Sequence, residues 1–178
     1  MSASTLTHNR AQGGDGGDGL GGGIYNGVAS THPSNFNAPT VLTVEGSVIT
    51  HNRAQGSAAG AGTAAGDGLG GGLWNGGTAV IRDTEISYNR ALGGDGADGS
   101  GGGDGFGGGA YTAAAGSLRL ERGTVTENHA NGGEGDAGDG EGIGGGVYNL
   151  GLFDFDALTR IFENRASTSH DDVFSLSE

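Results

Sequence analysis

Leu6-Thr7-His8-Asn9-Arg10-Ala11 returns as Ile49-Thr50-His51-Asn52-Arg53-Ala54, Ile86-Ser87-Tyr88-Asn89-Arg90-Ala91, Val125-Thr126-Glu127-Asn128-His129-Ala130 and Ile161-Phe162-Glu163-Asn164-Arg165-Ala166. Successive asparagines lie 43, 37, 39 and 36 residues apart. Between the copies falls a second motif of three glycines, an apolar residue and an aromatic one, ending at Ile24-Tyr25, Leu73-Trp74, Ala110-Tyr111 and Val147-Tyr148. A repeat of this length predicts a stack of similar units, because no single unit buries its apolar face alone. Residues 1–178 therefore read as one solenoid domain.

Within a unit the apolar residues follow strand periodicity. Ser117-Leu118-Arg119-Leu120-Glu121-Arg122 alternates strictly, and Thr78 to Asn89 is β-branched with no helical period. Three strands per unit are expected: the Gly-Gly-apolar-aromatic stretch, the one holding Leu42/Val44, Ala79/Ile81 or Leu118/Leu120, and the one running into the asparagine motif. Each aliphatic residue that opens the motif stands five residues before its alanine, so like residues recur at matching heights. The expected fold is all-β, a parallel β-helix of four to five coils spaced about 4.8 Å apart, with sheets pairing between coils.

Composition limits the functional classes. The chain has 43 glycines but two prolines and no cysteine, which argues against collagen, a disulfide framework and thiolate metal sites. Eight arginines, no lysine and 21 acids give a net charge of -13. That balance disfavours nucleic acid and anionic membranes as partners and favours cations. No apolar run approaches the roughly 20 residues of a membrane helix, and Met1-Ser2-Ala3-Ser4 opens no signal segment.

The Gly-Gly-apolar motif (Gly22-Gly23-Ile24, Gly71-Gly72-Leu73, Gly108-Gly109-Ala110, Gly145-Gly146-Val147) and the hydrophobic-x-x-Asn motif (Leu6 to Asn9, Ile49 to Asn52, Ile86 to Asn89, Val125 to Asn128, Ile161 to Asn164) together resemble the right-handed β-helix repeats of bacterial polymorphic outer-membrane proteins, and more broadly the pectin-lyase-like superfamily. The resemblance spans nearly the whole chain. It implies surface adhesins and passenger domains on one side, polysaccharide lyases and hydrolases on the other. This chain has aliphatic residues where the adhesin motif usually has Phe, and it has no lysine such as the lyases carry.

Four columns are candidates for function. Asn9, Asn52, Asn89, Asn128 and Asn164 read as a structural ladder at a turn, where asparagine tolerates the left-handed conformation. Arg10, Arg53, Arg90 and Arg165, with His129 in the fourth unit, would repel one another, so they either pair with acids of the following loops or form an anion-binding strip. Tyr25, Trp74, Tyr111 and Tyr148 point outward, either covered by the loops or presented to a sugar or a partner protein. Asp18, Asp67, Asp104 and Glu141 each precede a glycine and an apolar residue.

The loops 12–23, 55–72, 92–109 and 131–146 hold 36 of the 43 glycines. Glycine falls at every third residue from Gly13 to Gly22 and from Gly93 to Gly108. Three is the period of a polyproline-II-type helix, so ordered polyglycine-II-like arms are expected in preference to mobile linkers. Gly13 to Gly21 matches the nine-residue calcium repeat, which makes Ca²⁺ the candidate cofactor and Asp15, Asp18, Asp67, Asp95, Asp98, Asp104, Asp136, Asp139 and Glu141 the candidate ligands; the alternative leaves these acids paired to arginines or solvated.

No catalytic residue is assigned. Acids two coils apart reach the separation used by inverting glycosidases, but any acid column does so. Residues 27–40 form an extra loop, and 167–178, with His170-Asp171-Asp172, a C-terminal cap or tail. The open first coil suggests association end to end with another copy or with neighbouring repeats. The sequence is thus read as an extracellular or cell-surface structural or adhesive module, with a polysaccharide-binding or polysaccharide-degrading protein as the alternative and an ice-binding protein as a remote one.

Overall fold

The structure, a computed structural model, describes residues 1–27, 40–60, 63–97 and 99–176. Among them all regular structure is β, and every strand pairing is parallel. Equivalent strands of successive coils pair in register, giving three sheets of five strands and two of four. The expected β-solenoid is therefore the fold. Most of the extra loop at 27–40, together with Asp98, lies outside the described residues.

Each full coil contains five short strands instead of the three expected from sequence. In the second coil they are Val48–Thr50, Arg53–Gln55, Gly68–Leu69, Leu73–Asn75 and Thr78–Arg82. The long strand of the asparagine motif is cut in two because the residue before each asparagine turns left-handed: His8, His51, Tyr88, Glu127 and Glu163 have φ between 54° and 57°. The expectation that asparagine itself takes that conformation is corrected here; it follows the bend and points inward. The fifth strand is the end of each glycine loop, where Gly19–Leu20, Gly68–Leu69, Gly105–Phe106 and Gly142–Ile143 form a sheet of their own.

The core is a set of inward columns. Ile49, Ile86 and Val125 form one, Ala54, Ala91 and Ala130 another, and all are fully buried. Two further columns exchange size between coils: Leu73 shares the second coil with Ala79, whereas Ala110 shares the third with Leu118. Such compensation keeps the volumes of the second and third coils nearly equal, as close packing requires. The glycine of each Gly-apolar pair faces backbone. A side chain on Gly68 would overlap the carbonyl of Leu92, and one on Gly105 that of Asn131.

Residues 160–176 make a fifth, shortened coil without a glycine loop. Val173–Ser175 pairs with Val147–Asn149, while Leu152–Phe155 remains the last strand of its sheet. Leu152, Phe155 and Leu158 are consequently exposed.

Candidate functional site

The asparagine column bridges three coils at a time. Each Oδ1 accepts both the backbone N–H and the Nδ2 of the asparagine one coil earlier: Asn89 from Asn52 at 3.0 Å and 3.0 Å, Asn128 from Asn89 at 2.9 Å and 2.9 Å. Asn52 receives the same pair from Asn9, and Asn164 from Asn128. From Asn52 onward each Nδ2 also donates to a carbonyl of the previous coil, Asn89 to Ile49 at 2.8 Å. Asp172 closes the series by accepting both donors of Asn164. A buried carboxamide with these bonds made is fully committed to the scaffold.

A second polar column, Asn26, Asn75, Thr112 and Asn149, escaped the sequence reading although the pattern aromatic-Asn was visible in three of four units. Asn26 Nδ2 donates to Asn75 Oδ1 at 2.7 Å. The series breaks at Thr112, whose buried Oγ1 has no partner among the described residues.

The glycine loops are two-limbed fins joined by backbone hydrogen bonds. Gly66 donates to Ser57 across the second fin, Gly94 to Gly66 between fins, Gly103 to Gly94 across the third, Gly133 to Gly103 between fins, and Gly140 to Gly133 across the fourth, all at 2.9 Å. Limb-to-limb bonding of this kind is what a helix with no internal hydrogen bonds offers its neighbours. The absent side chains make it possible, since a Cβ on Gly66, Gly94, Gly103, Gly133 or Gly140 would overlap the carbonyl of a facing limb.

The acids of the returning limbs form their own ladder. Asp18 Oδ1 accepts the N–H of Asp67 at 2.9 Å, Asp67 Oδ1 that of Asp104 at 2.8 Å, and Asp104 Oδ1 that of Glu141 at 2.7 Å. Burial pushes the Asp67 carboxyl above its ordinary value of 3.8, opposed by the Asp104 amide and reinforced by the charges of Asp104 and Asp18. Farther out, Asp95, Asp136 and Asp139 accept backbone N–H groups of Glu134, Gly99 and Gly135, and with Glu134 they line a shallow acidic depression. Asp15 is exposed on the first fin. Among the described residues no three of these groups are grouped as a metal ion needs.

The outward aromatics cover one another. Tyr25 stacks on Trp74 at 4.6 Å between ring centroids, Trp74 on Tyr111 at 6.3 Å, Tyr111 on Tyr148 at 5.4 Å, and Tyr148 on Phe174 at 4.6 Å, all with near-parallel planes. The glycine fins are therefore not the lid envisaged from sequence; the glycines against Trp74 are Gly27 and Gly76, where a Cβ would press on the indole. Phe106, at the end of the third fin, stacks on Tyr148 at 4.6 Å. Within the row ring faces are occupied by ring faces, so among the described residues the rings of Trp74, Tyr111 and Tyr148 keep no open face for a sugar ring to lie upon.

Among the described residues the arginine column makes no ion pair with the loop acids. The ion pairs among the described residues are Arg82–Glu121, Arg119–Glu121, Arg119–Asp154 and Arg122–Asp83, all on the sheet of Thr78–Arg82 and Ser117–Glu121 or its edge. Arg10, Arg53, Arg90, His129 and Arg165 instead stand in register, one per coil. Arg10 donates to Gln55 Oε1, and Arg53 Nε is buried without a partner among the described residues. Burial and the neighbouring Arg10 and Arg90 charges lower the pKa of Arg53. Burial likewise lowers that of His129, as do Arg90 and Arg165, against an opposing pull from Glu127. Alongside runs a shorter stack, His8 on His51 at 5.2 Å and His51 on Tyr88 at 5.0 Å, and a shallow depression is lined by His51, Tyr88, Arg90, Glu127 and His129.

Comparison of the chain with protein-family models, with curated proteins and with solved structures gives no match. What the structure shows is a parallel β-solenoid, and the likeness to polymorphic outer-membrane repeats rests on the sequence motifs alone.

Proposed function

We propose that this chain is a non-catalytic structural module, a β-solenoid rod carrying glycine fins, which acts through its outer surfaces at or outside the cell surface. The observation that carries the reading is that three of the four candidate columns, all but the arginines, are spent largely on their own repeats. The carboxamides are bonded to carboxamides, the aromatic faces to aromatic faces, and the ladder carboxylates to amides of the next coil. Groups held in that way stiffen a rod better than they serve a substrate. The strand edge at Leu152–Phe155 and the apolar depression lined by Phe155, Ile161, Phe162 and Val173 suit the stacking of a further coil, from a second copy or a longer array.

A panel of neutral and acidic glycans, with and without Ca²⁺, tests the reading by calorimetry and by product analysis. The expected result is neither heat of glycan binding nor turnover. Cleavage of a pectin-like polymer would replace it with the polysaccharide-degrading alternative. The exposed depression at His51, Tyr88 and Arg90 is the feature that favours an acidic glycan, and it makes that class the one to titrate first.

A further inference from the structure

The first three fins each have a basic flank and an acidic flank. The strands Arg10–Gln12, Arg53–Gln55 and Arg90–Leu92 lead into the outgoing limbs, so Arg10, Arg53 and Arg90 stand beside those limbs. Asp18, Asp67 and Asp104 end the returning limbs, near Tyr111 and Tyr148, whose ionisation is opposed first by burial and further by these carboxylates. Both series advance one residue per coil, hence by the same spacing of about 4.8 Å.

Neither series is neutralised by an ion pair among the described residues. The left-handed column beside the arginines is acidic only at Glu127 and Glu163; beside Arg10, Arg53 and Arg90 it holds His8, His51 and Tyr88. The guanidinium groups of these three arginines make no ion pair among the described residues. On the other flank each aspartate uses Oδ1 on an amide, and its Oδ2 has no partner among the described residues. Like charges held a few ångströms apart raise the energy of the isolated molecule, and a counter-ladder of equal pitch relieves both at once.

We propose that the basic flank of one copy docks on the acidic flank of a second copy, with Arg10, Arg53 and Arg90 facing Asp18, Asp67 and Asp104 of the second copy coil by coil. The two rods then lie side by side, parallel and without stagger. The contact is heterologous: each copy keeps one flank free, so the association propagates into a sheet of solenoids and does not close at a dimer. It rests on the structural reading above and gives the rods a lateral partner of stated chemistry. Net charge repels the copies over a Debye length of about 10 Å at 0.1 M salt, whereas the ladders meet at direct contact. Association is therefore strongest at moderate ionic strength and lost at about 1 M salt.

Sedimentation velocity of the full chain over a range of concentration and salt tests this. Wild type is expected to form species larger than a dimer. Arg53→Gln/Arg90→Gln and, separately, Asp67→Asn/Asp104→Asn, which keeps the amide acceptor, are each expected to weaken association at least tenfold. Arg119→Gln, a charge loss on the ion-paired sheet, leaves it unchanged. Wild type that stays monomeric at every salt, or variants that associate like wild type, would overturn the proposal. So would retention of the wild type by immobilised heparin or polygalacturonate together with loss of self-association, which assigns the arginines to an external polyanion. If the arginine variant does not fold, judged by circular dichroism, the aspartate variant decides alone. Glycan cleavage would sink the structural reading separately, whereas a monomer inert to glycans would sink only the lateral contact.

Discussion

Thr112 marks the weakest step of a polar column. It occupies the place held by Asn26, Asn75 and Asn149 in other coils, is fully buried, and its hydroxyl has no partner among the described residues. Thr112→Asn supplies the missing acceptor and donor, and thermal unfolding is expected to show a gain of about 1 kcal/mol. Asn89→Ala has the opposite effect, because it strands two donors of Asn52 and the carbonyl of Ile49. A loss of about 3 kcal/mol or more is expected from denaturant unfolding. Asp67 carries a signed pH dependence. Its folded pKa is raised, so the protonated form is favoured in the fold, and stability falls as pH rises from the ordinary value of 3.8 through the folded one. Asp67→Asn keeps the acceptor and removes the charge. It should therefore be more stable than wild type at neutral pH, with the difference vanishing below the ordinary carboxylate range.

At the scale of strands and fins, periodicity was the legible part and local geometry was not. Leu6 to Ala11 and its copies declare which residues face inward, because the spacing of an aliphatic residue and an alanine survives every substitution between them. The bend inside that stretch did not show, since His8, Tyr88 and Glu127 share no chemistry; they share only the lack of a β-branch, which a left-handed φ demands. The acids of the fins were visible as a column, but their preference for amides over arginines depends on which limb lies beside which. The fins give an element-scale prediction. Gly103→Ala drives a methyl into the carbonyl of Gly66 and is expected to cost roughly 2 kcal/mol and to expose the amides of Gly94, Gly103 and Gly133 to hydrogen exchange. Gly14→Ala, where nothing lies within 4 Å of the new methyl, serves as the silent control. The paired size columns supply another test: Ala110→Leu overpacks the third coil, and adding Leu118→Ala should recover most of the loss.

For the whole molecule, charge is segregated by face. The sheet of Thr78–Arg82 and Ser117–Glu121 neutralises its arginines with Glu121, Asp83 and Asp154, and hydrogen bonds from Arg82 and Arg122 hold the Glu121 and Asp83 carboxyls below their ordinary range. The fin flanks leave theirs open. His129 belongs to the open set, and its folded pKa is depressed below 6.5 chiefly by burial. The stability it contributes is present above 6.5 and drains away as pH falls toward the folded value. His129→Gln is expected to flatten that part of the stability profile measured between pH 7 and 5.

The asparagine series has one more consequence, for heredity. From Asn52 onward each carboxamide oxygen accepts only from its equivalent one coil earlier, so the 39-residue unit from Arg90 to Asn128 ends in the same kind of bonding partner that precedes it, Asn89. A tandem duplication of residues 90–128 should then insert a whole coil without a seam, lengthening the rod by about 4.8 Å in solution scattering. Length in such a molecule becomes a copy number, open to change by a slip at the level of DNA and needing no new side chain to be invented.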